Sequence, residues 1–195
     1  MTTRSQLPIL VDMDGVFADF VGAYYRLAKQ DYPDVWNALP RDGQLTHFYL
    51  EDNIEDPEIR HRSLAIVDDP RLFGSIEPLE GALEGLKRLD ELAQAQGSGV
   101  LICTAPHKSN KSSYAQKAEW VEKYLGYPWL EKLLIVRDKT AIQGRVLIDD
   151  KPEPLGKYAP VWTHVVFDQS YNQHVEGKPR MLDWSVDTLQ WVLTL

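Results

Sequence analysis

Short apolar runs alternate with stretches of helical spacing along most of the chain. The runs that predict strands cover residues 7–11, 100–103, 133–136, 146–148 and 165–167. Uninterrupted apolar runs of this length are typical of strands that are buried on both faces of a sheet. Because strands that alternate with helices pair in parallel, the pattern predicts the α/β class with a doubly wound, Rossmann-like parallel sheet.

Apolar residues at helical spacing occupy the segments around these strands. A first helix is predicted after Phe17, and a second carries a stripe of leucines over 79–92. A third covers 113–125 and ends at Gly126, and a fourth closes the chain over 186–193. Helices in these positions supply the crossover connections that parallel strands need.

Residues 31–75 differ from the rest of the chain. They contain many charges and four of the twelve prolines, Pro33, Pro40, Pro57 and Pro70. Since proline interrupts helices and strands, the elements in this stretch are expected to be short. We interpret it as part of a small helical cap inserted after the first strand. The predicted cap covers 21–75, and the predicted core covers 1–20 and 76–195.

The composition narrows the class of protein further. Over 195 residues it is 44% hydrophobic and 26% charged, with a net charge of −8 and no basic tract, so we expect no long nucleic acid as a partner. The apolar runs are far shorter than the ~18 residues that span a bilayer, and no membrane association is expected. The single cysteine, Cys103, excludes an internal disulfide, and the first residues lack an export signal; we therefore expect a cytoplasmic protein.

Four predicted strands end in residues that carry chemistry. In chain order these residues are Asp12 and Asp14, Thr104, Lys139, and Asp149 with Asp150. Ligands of open parallel sheets bind beyond the carboxyl ends of the strands, so we expect these side chains to lie together. A similar acidic pair at 68–69 lies in the insert, where no strands alternate with helices, and we interpret it as a helix end.

Carboxylates crowded at one sheet edge repel each other unless a divalent cation lies among them, and oxygen-only ligands indicate Mg²⁺. Asp12 beside such an ion can attack phosphorus and form an aspartyl-phosphate. Asp14 can protonate the leaving alcohol and later activate water. Thr104 and Lys139 supply a hydroxyl donor and a positive charge for the phosphoryl oxygens. The ordered set therefore predicts metal-dependent phosphoryl transfer.

Five longer segments extend this pattern. They are DMDGVFADF at 12–20, ICTAP at 102–106, WVEKY at 120–124, RDKT at 137–140 and LIDDKP at 147–152. They resemble the motifs of the 5′(3′)-deoxyribonucleotidases, a family of haloacid dehalogenase-like phosphatases. The resemblance runs from residue 7 to about residue 155 and is weakest in the insert. It implies a Rossmann-like core with a helical cap and Mg²⁺-dependent hydrolysis of deoxyribonucleoside monophosphates.

The resemblance also implies a role for each matching position. The implied catalytic residues are Asp12 as nucleophile and Asp14 as general acid and base. The implied metal ligands are Asp12, the Asp14 backbone carbonyl and Asp149. Asp150 is implied to support these ligands without binding the metal itself. The implied phosphate-binding residues are Thr104, Ala105 and Lys139. The candidates for binding the base are the aromatic residues Phe20, Phe48, Tyr49 and Phe73, which could equally form the core of the cap. Arg137 matches a family position near the phosphate or the base. The expected partner is a small nucleotide substrate, and the resemblance allows a homodimer.

Ala105 departs from the pattern, because the family usually has serine after the threonine. The backbone N–H of Ala105 can still donate, but a side-chain hydroxyl is missing, and losing one such donor can reduce the rate or change the substrate.

Three alternatives to a deoxyribonucleotidase follow from the sequence. One is a phosphatase for another small phosphomonoester, such as a sugar phosphate, and another is a binding-only member of the family. A phospho-accepting receiver domain is disfavoured, since receivers carry the acidic pair after the first strand, whereas here it follows the fourth.

Overall fold

A six-stranded parallel sheet forms the centre of the molecule, a computed structural model that describes residues 6–41 and 43–195. In chain order the strands are β1 (Ile9–Val11), β2 (Ala18–Asp19), β3 (Glu77–Pro78), β4 (Val100–Thr104), β5 (Leu133–Ile135), β6 (Val146–Asp149), β7 (Thr163–Phe167) and β8 (Arg180–Met181). The sheet order is β5-β4-β1-β6-β7-β8, with every pair parallel. The predicted α/β class with a Rossmann-like parallel sheet is confirmed.

In the part of the chain that the structure describes, six α-helices flank this sheet or lie in the insert. They are α1 (Phe20–Asp31), α2 (Pro33–Ala38), α3 (Pro57–Asp68), α4 (Ala82–Ala95), α5 (Ser113–Leu125) and α6 (Val186–Val192). The prediction for 113–125 matches α5 at both ends, and Gly126 follows it with φ +91°. The acidic pair at 68–69 lies at the end of α3, as predicted. Within the described part of the chain, no helix is long and apolar enough to cross a membrane.

β1 lies in the middle of the sheet, between β4 and β6. Its three residues are fully buried, which explains why the sequence at 9–11 is apolar without alternation. Val11 is in register with Ile102 of β4 and with Ile148 of β6. The residues that follow these three strands therefore emerge side by side at one edge of the sheet.

The insert leaves and rejoins the core through a small antiparallel ribbon. Ala18 of β2 pairs with Pro78 of β3, and Asp19 pairs with Glu77. Helices α1 to α3 lie between the two strands of the ribbon, close to the predicted bounds of 21–75. That this segment is a separate cap stays a prediction.

Three short strands were not predicted. β2, β3 and β8 have two residues each, which is too few for a hydrophobic period to be recognised. The predicted five-stranded sheet therefore gains β8 at its edge, beside β7.

Candidate active site

The residues at the ends of the central strands lie together at the base of one cavity. We call this base the floor; it contains Asp12, Thr104, Lys139 and Asp149. Asp12 follows β1, and its backbone N–H donates to the carbonyl of Ile148 at 2.8 Å, which continues the strand pairing for one more residue. Thr104 and Asp149 are the last residues of β4 and β6, and both are buried. The ends of these parallel strands therefore lie at one edge of the sheet, as predicted.

Lys139 joins two of the carboxylates on this floor. Its Nζ lies 2.8 Å from Asp12 Oδ2 and 2.7 Å from Asp149 Oδ2. A 3-10 helix presents it, and Asp138 caps that helix by accepting from the Thr140 N–H at 3.0 Å. Burial alone would lower the pKa of Lys139, but the two carboxylates outweigh it and raise the pKa above its ordinary value. Lys139 therefore stays charged where a phosphoryl group would need it.

Lys117 is a second buried cation, and the sequence reasoning missed it. Its side chain is 0% exposed, and its Nζ lies 2.5 Å from Asp14 Oδ2 and 3.0 Å from Thr104 Oγ1. Burial raises the pKa of Asp14, Asp12 adds to that rise, and Lys117 opposes it. A signal was present: Lys117 shares the buried stripe of α5 with Trp120 and Val121, and a lysine on such a stripe requires a partner.

Gly15, which lines the cavity, allows the chain to turn away from β1 just after Asp14. Its φ is +74°, and a Cβ at this position would collide with the Asp150 carboxylate and the Tyr171 hydroxyl. The Gly15 N–H donates to the carbonyl of Ala18 at 2.8 Å, which closes the turn. Only glycine fits both the dihedral angle and the space.

Three carboxylates form a cluster that suits a hard cation. Single oxygens of Asp12, Asp149 and Asp150 lie within 4.8 Å of one another. Burial raises the pKa of Asp149, and it raises the pKa of Asp150 further because Asp149 and Asp12 add their charges. Within residues 6–41 and 43–195, the buried Asp12 Oδ1 has no hydrogen-bond partner, and the same holds for Asp14 Oδ1. Oxygen-only donors with an unpaired buried oxygen and excess negative charge fit Mg²⁺.

Asp150 contributes one oxygen to this cluster, and whether it binds the metal or only supports the other ligands stays a prediction. Tyr171 donates a hydrogen bond from its hydroxyl to Asp150 Oδ2, and Asn172 Nδ2 donates to the Asp150 backbone carbonyl at 2.8 Å. The 3-10 helix Ser170–Asn172 after β7 supplies both partners. Neither partner was predicted, since nothing in the local sequence after β7 points to the acidic pair.

A cavity of about 410 Å³ opens above the floor. One wall carries Phe20, Phe73 and His107, with ring centroids 5.7 Å apart for the two phenylalanines and 6.4 Å apart for Phe73 and His107. Of these, His107 was not predicted to take part. Phe20 and Phe73 both line the cavity, and Phe73 is also part of the hydrophobic core, at 2% exposed; their role in binding a base stays a prediction.

A second group of lining residues, which we call the second wall, contains Phe48, Tyr49 and Tyr171. The Phe48 ring centroid lies 5.2 Å from that of Tyr49 and 5.8 Å from that of Tyr171, in edge-to-face arrangements. Lys151 Nζ lies 5.4 Å from the Phe48 ring centroid, so a cation packs against an aromatic ring of this wall. Ala105 also lines the cavity, whereas Arg137 is exposed and is not among the lining residues.

The fold is that of the haloacid dehalogenase-like hydrolases. A haloacid dehalogenase-like family hydrolase from Streptococcus pneumoniae superposes with a TM-score of 0.55 over 97% of this chain and 100% of that chain, at 8% sequence identity.

Sequence similarity is more specific than the fold. The family model of the 5′ nucleotidase, deoxy (pyrimidine), cytosolic type C proteins matches residues 5–193. The mitochondrial 5′(3′)-deoxyribonucleotidase of Homo sapiens is 36% identical over 187 residues, which are 93% of this chain and 80% of that protein. The cytosolic-type enzyme of Homo sapiens is 32% identical over 183 residues, 91% of this chain and 89% of that protein. The chain belongs to the 5′(3′)-deoxyribonucleotidase family and is a phosphomonoester hydrolase.

Proposed function

We propose that the protein hydrolyses deoxyribonucleoside monophosphates to nucleoside and phosphate, with Mg²⁺ and through an aspartyl-phosphate on Asp12. One observation carries this proposal: Asp12 Oδ1, which no described residue pairs, lies on a charged floor beneath a cavity with aromatic walls. The volume of about 410 Å³ falls in the usual range of small-molecule sites. Family membership supports a nucleotide as the substrate.

The metal would be held by Asp12, by Asp149 and by either the Asp14 backbone carbonyl or the Asp150 carboxylate. When bound, Mg²⁺ neutralises the clustered carboxylates and polarises the phosphoryl group.

We assign Asp12 as the nucleophile from its match to the family motif, and the surroundings of its two oxygens are compatible with that role. Lys139 holds Oδ2 at 2.8 Å, and Oδ1 has no hydrogen-bond partner among the described residues. As Oδ1 forms its bond to phosphorus, the bond from phosphorus to the ester oxygen breaks, and the alcohol leaves with a proton from Asp14. Water then attacks the same phosphorus while Asp14 takes up its proton, which releases phosphate and restores Asp12.

Thr104 and Lys117 prepare the phosphate subsite. Thr104 Oγ1 accepts a hydrogen bond from Lys117 Nζ at 3.0 Å, so its own hydroxyl proton is free to donate to a phosphoryl oxygen. The Ala105 N–H and the Lys139 ammonium are the other donors we assign to phosphate. Lys117 also fixes the Asp14 carboxyl at 2.5 Å, so one buried cation positions both groups.

Phosphate release from a panel of substrates tests the proposal. The panel contains deoxyribonucleotides, ribonucleotides and sugar phosphates, each with Mg²⁺ and with EDTA. We expect Mg²⁺-dependent release with a preference for deoxyribonucleotides. Release only from sugar phosphates would favour the alternative phosphatase, although the aromatic walls suit a flat base better than a polar sugar. No release from any substrate would favour a binding-only protein.

Two further expectations stay predictions. A homodimer would be detected by sedimentation or light scattering of the purified protein, and the cytoplasmic location by fractionation of cells.

A further inference from the structure

His107 takes part in a hydrogen-bonded chain that the reaction above does not use. It follows β4, lines the cavity, and packs its half-buried ring against Phe73, with 31° between the ring planes. Its backbone N–H donates to Ser113 Oγ at 3.1 Å, at the start of α5. The position of the ring on the cavity wall is therefore held from two sides.

The chain of hydrogen bonds determines which ring nitrogen carries the proton. Ser109 donates its hydroxyl hydrogen to Asp68 Oδ1. Since a hydroxyl has one hydrogen, Ser109 Oγ can only accept from His107 Nδ1, which lies 3.1 Å away. Nδ1 therefore carries the proton, and Nε2 of the neutral ring is left as an acceptor.

Burial favours this neutral ring. It lowers the pKa of His107 below the ordinary value of 6.5, and Arg137 adds to the effect, while Asp68 and Glu51 oppose it. Nε2 has no hydrogen bond within the described part of the chain, so it is available to a ligand in the cavity.

The hydrogen bonds from His107 through Ser109 to Asp68 also join the insert to the core. Asp68 is the last residue of α3, and the core loop after β4 holds the end of that helix through Asn110. The Asn110 Nδ2 donates to the carbonyls of Val67 and Asp69, at 2.9 Å each, and Asn110 is 3% exposed. The loop after β4 therefore holds Asp68 in place, and Asp68 orients the His107 imidazole through Ser109.

We propose that His107 is a specificity-determining residue whose Nε2 accepts a hydrogen bond from an N–H of the substrate's base. The inference rests on the proposed function and adds to it the chemistry by which bases are told apart. The aromatic walls stack on any flat base, whereas an acceptor discriminates because a base without the donor leaves it unpaired. The donor is either a ring N–H, as in thymine, or an exocyclic amino group, as in cytosine.

Methylated substrates test the proposal and separate the two donors. The values of kcat/KM are measured for dTMP against its N3-methyl derivative, and for dCMP against its N4,N4-dimethyl derivative. In the unmodified protein we expect one methylation to reduce kcat/KM about tenfold, as for the loss of one hydrogen bond. In His107→Leu we expect that ratio to fall to about twofold or less. His61→Leu, an exposed histidine on α3, is the matched control and should keep the ratio.

A second variant keeps the histidine and removes only its orientation. In Ser109→Ala, Nδ1 loses its partner, so we expect two-bond ¹H–¹⁵N spectra of the histidines to show a gain of the Nε2–H tautomer. The unmodified protein should show the Nδ1–H tautomer at His107, and an Nε2–H tautomer there would overturn the proposal.

The outcomes separate the two proposals. If the unmodified protein hydrolyses none of the four nucleotides and no other deoxyribonucleotide of the panel, the proposed function is wrong and the role of His107 falls with it. If it hydrolyses them and His107→Leu leaves both methylation ratios unchanged, only the role of His107 is wrong.

Discussion

The floor and the walls of the cavity are built by different means. The floor comes from strand ends and is held by ion pairs between nearly buried groups, such as Lys117 and Lys139 with side-chain exposures of 0% and 9%. The walls come from the insert and from loops and are held by ring contacts, and their exposure ranges from 2% for Phe73 to 53% for Tyr49. The sheet therefore sets the geometry of the floor, whereas side-chain packing sets the geometry of the walls.

The energetic consequences of a substitution differ accordingly. Removing one partner of a buried ion pair leaves an uncompensated charge and typically destabilises by about 3–5 kcal/mol. An aromatic pair contributes only about 0.5–1.5 kcal/mol beyond its buried area. We therefore expect floor substitutions to stop the reaction and wall substitutions to change its selectivity.

The largest effect is expected for Asp12→Asn. An amide is not a nucleophile for phosphorus, so kcat should fall by about 10⁴-fold or more. The fold should persist, since Lys139 still pairs with Asp149 at 2.7 Å, and thermal unfolding followed by circular dichroism checks this. Asp52→Asn, an exposed carboxylate outside the cavity lining, is the control. Turnover near the unmodified rate would exclude Asp12 as the nucleophile.

The next largest effect is expected for Lys117→Met. This variant tests whether the reaction depends on the buried cation that contacts Asp14 and Thr104. Asp14 and Thr104 lose the cation that positions them, and we expect kcat to fall by about 10²–10³-fold, as for the loss of one oriented donor. Lys123→Met on the same helix, where Lys123 is exposed, should change kcat by less than about twofold. An unchanged kcat in a folded Lys117→Met protein would show that Asp14 is positioned without it.

Phe73→Leu tests the wall. If Phe73 stacks on the base, its loss should reduce kcat/KM for deoxyribonucleotides by about 5- to 150-fold, the equivalent of about 1–3 kcal/mol. A small alkyl phosphate has no base, so its kcat/KM should hardly change. Equal losses on both substrates would mean that Phe73 acts through the floor, where Lys117 Nζ lies 5.4 Å from its ring centroid.

The smallest effect is expected for Ala105→Ser. This change restores the residue usual in the family at an exposed position that lines the cavity. The added hydroxyl can donate to phosphate without removing the Ala105 N–H, so phosphate release should stay the same or increase. A large decrease would show that the number of donors is not what distinguishes alanine here.

The sequence predicted those parts of the fold that depend on neighbouring residues. Helix α5 was predicted with its observed bounds because its apolar stripe is followed by Gly126, a residue that readily takes the positive φ found there. The two-residue strands were missed because a period needs more residues than they contain. Tyr171 was missed because its partner Asp150 is 21 residues away, in another strand end.

The identity of the residues at the strand ends follows from the sequence alone, since short apolar runs ending in Asp12, Thr104 and Asp149 are local patterns. Parallel pairing then brings them to one edge whatever the rest of the chain does. Only the tertiary structure decided that Lys117 meets Asp14 across 103 residues of chain, and that Asp68 meets Ser109 across 41. Local periodicity carries no information on such contacts, because they depend on how whole helices pack against the sheet and the insert.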